Sequence, residues 1–441
     1  MEFTITKLIL ITLLTAGTAL LSHYGRAVFH DGLRPIMPEF IEGRMNRGEM
    51  SSVAFGLSVG FIASIGISFT LSTGLLNPWL LFLPTDILGV FAGSAWLAGL
   101  LGAGWGIAVV VGLTGVQAAL TVFPVDFIGA LGELSSPVLA GFALFPVLAI
   151  IYQFGWRKGI IAGSLVLLVR TIIEQGLLPE SLNLLPEAGQ LFIGTILLVI
   201  FALSKDRKDR IDNGETEVEE GESIFVERTR RLYKGLPFFA AVGALVAIVS
   251  NLQYFAGSEV SVFTLHDAYT TEDAAEANAL IQQAALSDLL RAIGFIPLIA
   301  TTALTTGVFG VVGLTFVFPV GYLMPNPVLA GIAGALILSL EVLMLSRLGK
   351  VMERFPSLRE ASDNIRTSIS TVMEIALLVG SVLAVLEMGS VTGFTIFALL
   401  YLFNEATGRP VIRLAAYPLA AIGTGVILNI LYFLQLFTPG G

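Results

Sequence analysis

Cysteine is absent from this chain, which excludes disulfides, thiolate metal sites, iron–sulfur clusters and cysteine nucleophiles together. Histidine is nearly absent. His23, His30 and His266 are too few and too scattered to form a His-rich metal centre. Charge is scarce as well: Asp, Glu, Lys and Arg make up 13% of 441 residues, against about one quarter in soluble domains. No Lys or Arg occurs between Arg47 and Arg157, a run too long for a soluble core. A Walker-type phosphate loop, H-E-x-x-H, G-x-S-x-G and an aspartate-rich pyrophosphate motif are all missing. No enzymatic activity and no cofactor are therefore expected, nor is a nucleic-acid partner.

What the chain has instead is apolar length. Hydrophobic residues reach 55%, and the mean hydropathy is +0.86. A span needs roughly 20 apolar residues, and about 11 to 14 transmembrane or re-entrant segments fit this chain. They run over 6–22, 52–75, 77–94, 95–122, 137–155, 159–177, 187–204, 236–254, 287–304, 305–322, 327–346, 369–388, 390–404 and 414–436. Arg26, Arg34, Arg44 and Arg47 outnumber Lys7 across the first apolar stretch, so it reads as an uncleaved span with its N-terminus outside. The fold class expected is an all-α polytopic membrane protein in two pseudo-repeated halves, 1–203 and 235–441. A charged cytoplasmic linker over 204–234 joins them. From Lys234 to Arg291 there is again no Lys or Arg, and the acids within that run suggest an extracytoplasmic loop at 255–285. Two short echoes support the halves: VFPV at 122–125 and 317–320, and PVLAG at 137–141 and 327–331. Repeats of this kind build many transporters, with the substrate held by broken helices near the midplane.

The stretch PVDFIGALGELSSPVLAG (124–141) places Asp126 and Glu133 in an oily run broken by Pro and Gly. An acid at the centre of a membrane helix costs about 2.5–3.5 kcal/mol, and a water-filled cavity between broken helices would offset that. Ser135 and Ser136, just before Pro137, suit the start of a helix whose positive end could face an anion. A short external loop with ordinary surface acids is the plainer alternative. NPWLLFLPTDILG (77–89) repeats the theme with Asp86 after Pro84, and Asn326 takes the matching place in the second half. In PLIATTALTTG, Thr302 and Thr305 share one helical face. Asp126, Glu133, Ser135, Ser136, Asp86, Asn326, Thr302 and Thr305 are the candidate substrate-binding residues. Ser64 and Ser68 mark small-residue helix packing, and Glu405 with Arg409 a local ion pair.

Several stretches resemble the YhfT family of bacterial inner-membrane proteins. These include AVFHDGLRPIMPEFIEGRMNRGEM (27–50), LLFLPTDILGV (80–90), FAGSEVSVFTL (255–265), IGFIPLIATTAL (293–304) and NEATGRPV (404–411). The likeness runs nearly end to end and implies transport without a settled substrate. VDFIGALGELSSPVLAG is also similar, more distantly, to galactitol-type and ascorbate-type permease components of the phosphotransferase system. That resemblance implies a homodimeric, elevator-type transporter. No fused phosphorylatable domain is expected here, which leaves phosphotransfer coupling open.

The expected function is a secondary transporter in the bacterial cytoplasmic membrane, moving a small polar or anionic metabolite, with proton coupling through a carboxylate. A phosphotransferase-type sugar permease is one alternative. A membrane-embedded enzyme acting on a lipid-linked substrate is another.

Overall fold

A computed structural model describes residues 3–30, 32–120, 123–179, 182–213, 232–310, 316–353 and 355–439. Most of the charged linker expected at 204–234 lies outside these residues. The helices are α1 (Ile5–His23), α2 (Met37–Ile41), α3 (Arg47–Thr73), α4 (Pro78–Phe91), α5 (Ala95–Leu120), α6 (Phe127–Gly132), α7 (Ser135–Phe154) and α8 (Trp156–Glu174). They continue as α9 (Pro186–Asn213), α10 (Leu236–Asn251), α11 (Val262–Thr270), α12 (Ala274–Thr306), α13 (Val317–Leu323), α14 (Pro327–Glu353), α15 (Pro356–Ala406) and α16 (Arg413–Phe433). Two strands, β1 (Ala27–Val28) and β2 (Phe309–Gly310), pair in parallel. Among the described residues nine helices are long and apolar enough to cross a membrane, and α4 and α10 are shorter apolar helices. The chain is a nearly all-α, multi-pass membrane protein.

Local sequence explains where the helices start and stop. Asn46 and Glu49 form a reciprocal capping box at the start of α3. Asp273 caps α12 by accepting from the Ala275 and Glu276 N–H groups, and Gly307 at φ 69° closes that helix in the left-handed region. α15 is interrupted at Gly389 and Ser390, both non-helical, which is where the apolar runs 369–388 and 390–404 meet in the sequence. Within α3, residues Ile62–Phe69 are π-helical.

Glycine sets the closest packing. A Cβ at Gly102 of α5 would fall 2.5 Å from the Thr15 carbonyl oxygen of α1, and one at Gly334 of α14 would fall 2.4 Å from the Gly243 oxygen of α10. These are the small-residue contacts expected where lipid gives helices no hydrophobic reason to associate. Gly60 and Gly66 do the same for α3, against the backbone of α16 and of α4. Ser64 bonds back to the Gly60 carbonyl at 2.7 Å and Ser68 to that of Ala63 at 3.3 Å, so both serve their own helix.

α1 packs on α4 and α5, while α10 packs on α13 and α14; α3 packs on α4, and α12 on α13. A further group, α7, α8, α9, α15 and α16, packs largely on itself. Extended chain follows α1, α3, α10 and α12. Two of these segments meet as β1 with β2, and the other two meet at Leu76 and Phe255. The pairings lie at opposite ends of α1. Thr4, at its start, bonds Tyr254 just before Phe255, whereas β1 follows its C-terminal end.

Three sequence readings change. The described residues of the run 305–322 form no helix of spanning length: they hold the end of α12, β2 and most of the seven-residue α13. The segment 255–285 is not one polar loop. Residues Phe255–Ser261 are buried, α11 follows, and exposure is concentrated around 271–283. The PVLAG echoes open α7 and α14, which pack on different partners: α7 on α8, α9 and α15, but α14 chiefly on α10. Similar words in a Val/Leu/Ala/Gly-rich chain therefore do not mark equivalent places.

Candidate functional site

The structure does not gather the sequence-derived site residues. Asp126 and Glu133 are exposed on either side of α6, in the turn between α5 and α7. Asp126 caps α6 by accepting from the Gly129 N–H at 2.8 Å, and Glu133 ends it. Ser135 is half-buried and Ser136 exposed at the first turn of α7. Asn326 is exposed, capping α14 through the Leu329 N–H at 2.9 Å. None of these five lines the central cavity. A carboxylate at a helix–helix turn needs no cavity, since water and the N-terminal N–H groups of α6 already solvate it. The side chains of Thr302 and Thr305 lie outside the described residues.

The cavity, of about 390 Å³, lies where the extended segments from both ends approach each other. That falls in the range of pockets for small molecules, about 300–1,000 Å³. Phe29 and His30 follow β1, Pro78 and Trp79 open α4, and Gly257 follows the Leu76–Phe255 bridge. Phe61 of α3 stacks on Trp79 at 5.2 Å between centroids, and Phe29 meets the same indole edge-on. Asp363, Arg366, Thr367 and Ser370 of α15 supply a polar wall. Arg366 Nη1 pairs with Asp363 Oδ1 at 2.9 Å. The result is an amphipathic chamber: flat aromatic faces on one side, a guanidinium, a carboxylate and hydroxyls on the other.

Asp86 belongs to this chamber without lining it. It is 2% exposed on α4 and accepts from the Phe29 N–H at 2.7 Å, the His30 N–H at 2.9 Å and the Ser22 hydroxyl at 2.6 Å. The carboxylate thereby fixes the chain that forms one cavity wall.

Two further contacts fix the start of α4. Asn77 caps it through the Leu80 N–H at 3.1 Å. The same side chain's Nδ2 donates to the Gly66 carbonyl at 3.0 Å and to Thr70 Oγ1 at 2.9 Å. It ties α4 to the π-helical part of α3, where carbonyls are freed from the usual ladder. The start of α4 is thus held in place where Pro78 and Trp79 line the cavity.

Sequence reasoning missed a second polar group. Arg291 of α12 lines the cavity and lies against Glu259, its Nε at 2.7 Å and Nη2 at 3.0 Å from the two carboxylate oxygens. Both side chains are buried, 6% and 0% exposed. The signal was there to read. Arg291 is the one Lys or Arg between 235 and 346, and a lone cation in so apolar a stretch demands a carboxylate partner. Glu374 and Glu405 both pair with Arg413, and Glu405 also pairs with Arg409.

Helices of membrane-spanning length around an amphipathic, partly open cavity of small-molecule size define a multi-pass membrane protein. The family profile named YhfT, described as a protein of unknown function, matches residues 7–437. The chain therefore belongs to the YhfT family. It is 52% identical over 434 residues to the uncharacterized protein YhfT of Escherichia coli (strain K12), covering 98% of this chain and 99% of that one. No solved structure matches it.

Proposed function

We propose that the protein is a secondary transporter for a small polar or anionic metabolite that carries a flat apolar face, with the central chamber as its binding site. The observation that carries this reading is the chamber itself, walled by chain that dips in from opposite ends of α1 and lined by Trp79, Phe61 and Phe29 facing Arg366. Irregular backbone at membrane depth is tolerated where it lines a cavity or is buried in protein, and it is here that transporters hold their substrates. The matched packing of α1 with α4 and α5, and of α10 with α13 and α14, supports two oppositely oriented halves. Elevator-type motion also belongs to the reading. α7 and α15 come from the group that packs on itself, and they close the chamber against the rest through Phe142 and Arg366. The homodimer and the bacterial cytoplasmic membrane carry over from the sequence resemblances.

A thermal-shift panel of small carboxylates, sugars and nucleobases on purified protein tests the site. A ligand at one hundred times its Kd stabilises the folded state by about 2.7 kcal/mol. Trp79→Ala and Arg366→Gln should each abolish the shift given by a panel compound, and the same compound should be taken up by proteoliposomes. A compound whose shift and uptake survive both substitutions would overturn the assignment.

A further inference from the structure

Behind the cavity wall, the loop through Gly257 continues into a closed set of polar groups. Asp288 of α12 is 0% exposed, one turn before Arg291. Its Oδ1 accepts the Ser258 hydroxyl, and its Oδ2 accepts the Ser261 hydroxyl at 2.9 Å and the Tyr322 hydroxyl at 3.2 Å. Tyr322 in turn accepts the Gly257 N–H at 2.6 Å, which joins the cluster to the cavity lining. Tyr269 of α11 faces Asp288 electrostatically. Glu259 and Arg291 complete the charged and titratable groups around it among the described residues.

Among the described residues the charges do not balance. Two carboxylates, Glu259 and Asp288, share one guanidinium, and Glu259 holds that guanidinium through both oxygens. Serine and tyrosine hydroxyls solvate Asp288 but bring no charge. A buried carboxylate in such surroundings calls for a positive charge of its own. We propose that Asp288 is a proton-binding site in the wall of the chamber. A hydronium ion gives its proton to Oδ1, an O–H bond forms and water leaves. The new O–H donates to Ser258 Oγ in place of one of the two N–H groups, of Val260 and Ser261, that this oxygen accepts at 3.2 Å, and the serine's own hydrogen turns to Ser261 Oγ, 3.3 Å away. The proton on Asp288 thus finds an acceptor by rearrangement of hydroxyl groups already in place. A metal ion has no such accommodation. Both carboxylate oxygens already face hydroxyl hydrogens, and no group of three His, Asp or Glu side chains suited to a metal occurs among the described residues.

Only the use of this proton for coupling rests on the transporter reading; its binding does not. The test therefore uses purified protein with no substrate. Infrared difference spectra across a pH titration should show a carboxylic-acid C=O band that disappears in Asp288→Asn and moves in Ser261→Ala, which removes one hydroxyl partner. Asp288→Asn mimics the protonated state in size and charge. Should it not fold, the Ser261→Ala band shift decides alone. Identical spectra for the wild type and the folded variants would overturn the proposal. So would a spectral change driven by sodium at fixed pH that needs Asp288 while the pH response does not.

Discussion

The indole Nε1 of Trp105 donates to the Leu80 carbonyl at 3.0 Å, reaching from α5 to α4. Pro84, four residues after Leu80, has no N–H to give that carbonyl, so the proline's cost to α4 is met by a neighbouring helix. Trp105→Phe keeps the ring and removes the donor. Leu80 is 2% exposed, so an unsatisfied buried acceptor would remain, worth about 1–3 kcal/mol. A lowered melting temperature in detergent checks this; no change would mean that water reaches the carbonyl.

Asp86→Asn should loosen the wall of the chamber rather than unfold the protein. An amide is uncharged and accepts through one oxygen only, so all three donors from Ser22, Phe29 and His30 lose a charged acceptor, and with that oxygen in the place of Oδ2 the Ser22 hydroxyl faces an NH2 group instead. Hydrogen exchange over 27–30 should speed up, with α4 little affected. Unchanged exchange there would show that the β1–β2 pairing alone holds the segment.

Two glycines of one helix give a controlled pair. Gly102→Ala drives a Cβ into the backbone of α1, whereas nothing lies within 4 Å of a Cβ at Gly104. The first substitution should cost about 1–3 kcal/mol or more. The second should be neutral or slightly stabilising, because alanine is the better helix former. Equal melting temperatures for the two variants would contradict the packing of α1 on α5.

Glu133→Gln and Asp126→Asn should leave ligand-induced stabilisation within error of the wild type, since neither side chain lines the chamber. Loss of binding in either variant would move the site to the α5–α7 turn.

The spans were legible because roughly 20 apolar residues in a row admit few other readings. Even the break at Gly389 and Ser390 was visible as a gap between two runs. The site was legible only in part. Asp86 stood out as an acid in an apolar segment, but sequence could not tell a carboxylate that holds backbone from one that holds a ligand. Asp126 and Glu133 misled for the converse reason. Composition shows how oily the surrounding chain is, yet not whether the acid falls in a span or at its end. Glu259 was hidden by a topological assumption, whereas Asp288, within the expected span 287–304, was passed over. Acids in a run free of Lys and Arg look like an external loop unless the chain is known to fold back inward.

The pairing of β1 with β2, and of Leu76 with Phe255, has a consequence for biogenesis. Each bond partner of the first half is synthesised only after the linker has left the ribosome, so the early half must wait in the bilayer with open backbone edges. Fragments divided within 214–231 should therefore accumulate poorly when made singly and recover when made together.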